Sequence, residues 1–113
     1  MTVTIKGTNL ELTPALKQYA TEKVLALLKF FPTVTIARLE LERTSRHHHK
    51  GEVWRAEANL HAPHHLFRAE ACATDIYAAV DGMKDELKRE LKNLKDKKSG
   101  AVRQARRTNL KGR

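Results

Sequence analysis

Residues 74–98, TDIYAAVDGMKDELKRELKNLKDKK, decide the fold. Ile76, Val80, Met83, Leu87, Leu91 and Leu94 recur at spacings of three or four, the period of an amphipathic helix with one apolar stripe. Thr74 reads as its N-cap, and Asp75 suits the positive end of the helix dipole. With about 100° per residue, Lys84, Lys88, Lys92 and Lys95 form a second stripe along one flank of the apolar one, and Glu86 and Glu90 fall on the other flank. A lysine-rich helix is ordinarily just a solvated face with a few i,i+4 pairs. These lysines instead follow one another at i,i+4, which is mildly repulsive unless something anionic lies against them.

A helix with one apolar stripe needs a surface to cover, and the preceding residues supply it. Three runs alternate: VTIARLELER (34–43), EVWRAEANL (52–60) and 66–73. Leu39 and Leu41 oppose Arg38, Glu40 and Glu42. Trp54, Ala56, Ala58 and Leu60 oppose Val53, Arg55, Glu57 and Asn59. Phe67, Ala69, Ala71 and Ala73 oppose Leu66, Arg68, Glu70 and Cys72. Alternation is the mark of strands with one buried face, although it blurs at Ile36-Ala37, where a bulge or the strand start would account for it. TSRHHHKG (44–51) and HAPHH (61–65) are the turns between these strands. The small residues Ala56, Ala58, Ala69 and Ala71 leave room for helices to approach closely.

Upstream, TVTIK (2–6) predicts a short strand, and Thr13-Pro14 is a helix start, an N-cap followed by proline at the first helical position. That helix is expected to reach Phe31, with Leu16, Tyr19, Ala20, Val24, Leu27, Leu28 and Phe31 on its apolar face, and Pro32 to end it. The order is β-α-β-β-β-α. The first helix is a crossover, so the first two strands should be parallel with a right-handed connection, and the last three should form a meander. The expected fold class is α+β, a two-layer arrangement with a four-stranded sheet and two helices on one face, like a double-stranded-RNA-binding domain. Residues 1–98 form the domain in this reading, and 99–113, SGAVRQARRTNLKGR, a basic flexible tail.

The charge is unevenly spread. Of the formal +9, residues 84–113 hold 12 Lys/Arg against 4 Asp/Glu, while the first 83 residues are nearly balanced. Such a concentration suits a phosphate backbone or an anionic surface. No apolar run approaches the ~18–20 residues of a membrane span, no signal peptide is visible, and the single cysteine, Cys72, excludes an internal disulfide. A cytoplasmic protein is expected.

Catalysis has no visible foothold. His47, His48 and His49 are adjacent, and His61, His64 and His65 form a second group. Consecutive loop histidines diverge, and the groups sit at opposite ends of a strand spanning ~30 Å at ~3.3 Å per residue, so they cannot converge on one ion. A polar turn, or one touching phosphate alongside Arg43, Arg46 and Lys50, is the better reading. Cys72 has no nearby basic motif to activate it, Trp54 falls at a core-facing position, and neither a glycine-rich phosphate loop nor a serine elbow is present. No metal, cofactor or small-molecule substrate is expected.

With these elements in place, the chain resembles the short ribosome hibernation-promoting factor family, which includes the ribosome-associated inhibitor A proteins. The likeness covers residues 2–98. DIYAAVDGM (75–83) is close to the family's D-M-Y-A-A-I-D-G-L, KRELK (88–92) resembles its L-x-R-Q-L-x-K, and GTNLELTPALKQY (7–19) resembles G-N-N-V-E-I-T-x-A-L-R-E-F. The resemblance implies the same β-α-β-β-β-α fold and a cytoplasmic protein whose partners are the ribosome and its small-subunit ribosomal RNA. Such a protein lies between head and body, where messenger RNA and transfer RNAs would sit, and inhibits translation in stationary phase or stress. Arg89, Lys95 and Lys97 match basic positions of the family's last helix, and Lys23 one on its first. Glu86, Asn93 and Ala26 stand where the family often has lysine, while Lys84, Lys88 and Lys92 are additional. Long forms of the family carry a C-terminal dimerisation domain, which nothing in this sequence resembles.

The RNA-binding candidates are therefore Lys23, Lys84, Lys88, Arg89, Lys92, Lys95, Lys97 and Lys98, with Lys17, Lys29, Arg46, His48, Lys50, Arg103, Arg106 and Arg107 as a second rank. A general RNA- or DNA-binding module using the same helix is the alternative function.

Overall fold

The computed structural model describes residues 1–44 and 53–110, with side chains described as far as Leu94. The order is β1 (Thr2–Thr8), α1 (Pro14–Leu28), β2 (Ile36–Arg43), β3 (Trp54–Ala62), β4 (His65–Ala73) and α2 (Ile76–Leu110). The strands form one sheet in the order β1-β2-β3-β4. β1 runs parallel to β2, and the other two pairings are antiparallel. The crossover and meander expected from the sequence are both present.

Local chemistry explains the element ends. Thr13 caps α1: its hydroxyl accepts from the Leu16 N–H at 3.2 Å, with Pro14 in the first turn. The α-helix stops at Leu28 rather than Phe31. Phe30 and Phe31 continue as single tight turns, their N–H groups donating to the carbonyls of Leu27 and Leu28. At the start of α2 the cap is Asp75, not Thr74. An Asp75 carboxylate oxygen accepts from the Ala78 N–H at 3.0 Å, and the Asp75 carbonyl accepts from Ala79. A charged acceptor at the helix N-terminus gains from the dipole as well as from the hydrogen bond. At the other end α2 continues past residue 98 to Leu110. Ser99 and Gly100 lower helix propensity by about 1 kcal/mol at most per residue, and with no proline they do not force a break. β3 and β4 meet at Pro63-His64. His64 adopts φ 65°, and proline followed by a positive φ is the pattern of a type II turn.

The core lies between the sheet and the two helices. Ala37, Leu39 and Leu41 of β2, Ala56, Ala58 and Leu60 of β3, and Phe67 and Ala69 of β4 point inward. Val80, Met83 and Leu87 of α2 are fully buried against them, as are Val24 and Leu28 of α1. Each such side chain stabilises by about 1.5–3 kcal/mol relative to exposure. α2 lies over β3 and β4, with α1 beside it. Its approach is so close that a Cβ built on Gly82 would sit 2.9 Å from the Ala71 Cβ.

The outer sheet face is charged, and its centre is shielded, with the Arg55 and Glu57 side chains largely buried. Glu40, Glu57 and Glu70 stand side by side on β2, β3 and β4. Three carboxylates in a row would repel. Arg55 resolves this, reaching Glu42 at 3.1 Å, Glu57 at 2.7 Å, Glu70 at 2.8 Å and Glu40 at 3.6 Å. Arg68 adds a 2.7 Å pair to Glu57. Burial opposes the charge on Arg55, but the Glu70 hydrogen bond and the carboxylates of Glu70, Glu57 and Glu42 outweigh it, and the guanidinium is held above its ordinary range. At Glu57, which is only 9% exposed, burial likewise favours the neutral acid. The Arg68 hydrogen bond and the charges of Arg55 and Arg68 outweigh it and lower the pKa.

Two outcomes follow. Gly82→Ala should lower the melting temperature although alanine favours helix by about 1 kcal/mol, because overpacking costs about 1–3 kcal/mol. Adding Ala71→Gly should recover part of the loss, read by thermal denaturation of the single and double variants. Glu57→Gln should cost about 1–3 kcal/mol at neutral pH by weakening charged hydrogen bonds. Since the folded-state pKa of Glu57 is depressed, its contribution is complete above the ordinary glutamate range and is lost as pH falls through the folded value. Urea unfolding of wild type and Glu57→Gln should therefore converge as the pH is taken down past the ordinary glutamate value of ~4.3 and through the lower folded-state value.

Candidate nucleic-acid interface

The helix layer carries the described cations that the sequence singled out. The line where α1 meets α2 is fastened by a cluster around Asp81. The Tyr19 hydroxyl donates to its carboxylate at 2.6 Å, and Lys23 Nζ lies 3.9 Å from the same oxygen. The Tyr19 and Tyr77 rings meet edge to face at 4.9 Å between centroids, with Lys23 Nζ 5.2 Å from the Tyr19 centroid. Tyr77 and Asp81, four residues apart, thus mark the flank of α2 that faces α1.

Lys84 and Lys88 stand three and seven residues beyond Asp81, so the helical period carries that flank through them and on to Lys92. Lys84 is half-buried, and Lys88 and Lys92 are exposed. Among the described residues no ion pair engages these three lysines. Lys23 joins them from α1, its ammonium shared with Asp81. The result is a strip of four cations along the inter-helix line, with Tyr19 and Tyr77 together at its Lys23 end.

The other candidates separate. Arg89 is exposed on the outward side of α2 and pairs weakly with Glu86 at 3.6 Å. Lys29 is exposed at the end of α1. Lys17 is exposed two residues from Tyr19, about 200° round the helix, and so points away from the strip. Lys95, Lys97, Lys98, Arg103, Arg106 and Arg107 lie on α2 beyond the described side chains, and Arg46, His48 and Lys50 lie outside the described residues altogether.

Three members of the surface were missed from the sequence. Tyr19 reads there as a core position, yet its hydroxyl reaches Asp81. Asp81 breaks the lysine stripe, and that single acid between Tyr77 and Lys84 was the available signal. Phe30 reads as part of the helix, yet it is 69% exposed beside Lys29.

Elsewhere, Trp54 packs at the edge of the core, with the Arg43 guanidinium 5.5 Å from its ring centroid. Cys72 is exposed on β4. Among the described residues no His, Cys, Asp or Glu side chains gather in a group of three or more that could hold a metal, and no helix is long and apolar enough to cross a membrane.

The hydrogen bond from Tyr19 to Asp81, then desolvation and the carboxylate's charge, raise the Tyr19 phenol above its ordinary pKa of 10.0. Titration followed by phenolate absorbance should show a component ionising above the ordinary tyrosine range. That component should vanish in Tyr19→Phe and move down in Asp81→Ala.

Comparison with known proteins gives a consistent result. The family model described as Sigma 54 modulation protein / S30EA ribosomal protein matches residues 3–99. The ribosome hibernation promoting factor of Klebsiella oxytoca is 35% identical over 99 residues, covering 86% of this chain and 96% of its own length. The protein of the same name from Escherichia coli K12 is 33% identical over 97 residues, with the same shares covered. Among solved structures, a ribosomal subunit interface protein from Coxiella burnetii superposes with a TM-score of 0.73 at 19% identity, covering 85% of this chain and 99% of that one. The N-terminal domain of Thermus thermophilus Protein Y does so with a TM-score of 0.67 at 27% identity, covering 83% and 99%.

Proposed function

Because the chain belongs to the Sigma 54 modulation protein / S30EA ribosomal protein family, we propose that it is a ribosome hibernation factor, acting in the cytoplasm under stress or in stationary phase. It binds the small ribosomal subunit in the channel that messenger RNA and transfer RNA would occupy, and it inhibits translation by occupying that space. The relatives' names support the hibernation role and favour the ribosome over a general RNA- or DNA-binding module.

The observation that carries the interface is the strip of Lys23, Lys84, Lys88 and Lys92. The opposite, sheet face engages its acids internally: Glu40, Glu42, Glu57 and Glu70 are paired with Arg55 and Arg68. The helix layer instead presents lysines with no carboxylate partner among the described residues, apart from the shared Lys23. A molecule with one self-neutralised face and one cationic face orients in the field of a polyanion.

On docking, each lysine that meets a phosphate releases condensed counterions, which is the driving term and makes affinity fall with salt. Recognition is of phosphate positions and shape, because the narrow major groove of A-form RNA does not admit side chains. In this reading Arg89, Lys95, Lys97 and Lys98 extend the surface along α2. Residues 99–113 form a basic extension in which Arg103, Arg106 and Arg107 contribute less per residue. The mechanism is occupancy and has no chemical step.

The test is a double charge reversal, Lys88→Glu with Lys92→Glu, assayed by co-sedimentation with ribosomes at two salt concentrations. Stability should stay within ~0.5 kcal/mol of wild type, as for exposed positions generally. Affinity should fall, and the slope of log K against log salt should flatten by about 0.7–0.9 per lost phosphate contact. A folded variant with wild-type affinity and slope would move the RNA surface elsewhere on the molecule.

A further inference from the structure

Phe30 is an exposed aromatic for which the fold provides no cover. The residue is 69% exposed, yet its backbone is held, with the Phe30 N–H on the Leu27 carbonyl at 3.2 Å and the Phe31 N–H on the Leu28 carbonyl at 3.0 Å. Beside it opens a cleft of about 160 Å³, lined by Phe30, Pro32, Phe67, Leu91 and Leu94 among others. A cavity of about 150 Å³ is enough to hold a benzene ring, so the cleft has the capacity for one planar heterocycle.

The rim is basic. Lys29 precedes Phe30, Lys92 follows Leu91, and Lys88 stands one turn earlier on the α2 flank that faces α1. An apolar slot with an exposed ring, and with exposed lysines adjoining its lining residues in the chain, suits a ligand that is flat and apolar on its faces and anionic along its backbone. Single-stranded nucleic acid has that chemistry: bases stack on aromatic side chains while cations track the phosphates.

We propose that this cleft seats one unstacked nucleobase of single-stranded ribosomal RNA, stacked on the Phe30 ring, with Lys29, Lys88 and Lys92 holding the flanking phosphates. The proposal rests on the small-subunit reading above and adds a contact of a different physical kind. A stack releases no condensed counterions, so its contribution is separable from that of the lysines by salt dependence.

The experiment measures binding of purified small ribosomal subunits at two salt concentrations by wild type, Phe30→Ala, Phe30→Leu, Phe30→Trp and the Lys88→Glu/Lys92→Glu variant. Phe30→Ala should weaken binding about 5- to 150-fold, the range for losing one base–aromatic stack, with the salt slope unchanged. Phe30→Trp should bind like wild type, and Phe30→Leu should stay weak. Wild-type affinity in Phe30→Ala, with the lysine variant impaired, overturns the stack and leaves the small-subunit reading standing. Rescue by leucine as complete as by tryptophan also overturns it, because an apolar protein side chain in the cleft would accept either. Failure of the wild-type chain to bind small subunits overturns both readings. Melting temperatures are recorded for each variant. If Phe30→Ala proves unstable, the comparison of leucine with tryptophan decides the question.

Discussion

The close approach of α2 to β3 and β4 is the constraint from which the other features follow. The sheet residues beneath the helix are Ala56, Ala58, Ala69 and Ala71, and the helix meets Ala71 with Gly82. Small residues on both sides let the helix settle low enough for Val80, Met83 and Leu87 to be fully buried. That depth fixes the rotation of α2, since the apolar stripe must face down. Rotation in turn decides which flank meets α1. Tyr77 and Asp81 then lie within reach of Tyr19 and Lys23, and the lysines that follow on the same flank run along the inter-helix line. The position of the cationic strip is thus a packing consequence of alanines and a glycine that carry no charge.

The two layers handle charge in opposite ways. On the sheet, Arg55 is shared among four carboxylates at 3.6 Å or less. Its side chain and that of Glu57 are largely shielded from water. Pairs in such surroundings lose part of their Coulomb gain to desolvation, and good geometry with several partners recovers it. The network holds β2, β3 and β4 in register, and its acids are occupied within the molecule. On the helix layer the lysines stand at helical spacing with like charges as neighbours, which costs a few tenths of a kcal/mol per pair. That arrangement is mildly unfavourable in the isolated protein and is relieved when an anion lies across it. The contrast supports placing the partner on the helices.

Much of the architecture was legible because it is encoded within short windows. The stripe of α2, the alternation of β2, β3 and β4 and the Thr13-Pro14 start each depend on residues no more than seven positions apart, and chain connectivity then allows few topologies. Where local chemistry was finely balanced the reading slipped. Asp75 rather than Thr74 caps α2, and α1 stops at Leu28. Of the surface, the lysine stripe was readable for the same reason as the apolar one, since both are periodic.

The sequence by itself therefore determined the element order, the inward-facing residues and the presence of a basic flank on the last helix. Tertiary structure alone decided which neighbours that flank acquires. The Tyr19–Asp81 hydrogen bond spans 62 positions, and the contacts of Arg55 with Glu42 and Glu70 depend on strand register across three strands. Phe30 became an exposed ring over a cleft only because α1 ended early and Leu91 and Leu94 came alongside. Periodicity specifies the face on which a side chain stands. What it meets there depends on how deeply the elements pack, and that is set by the combined volumes of residues distant in the chain.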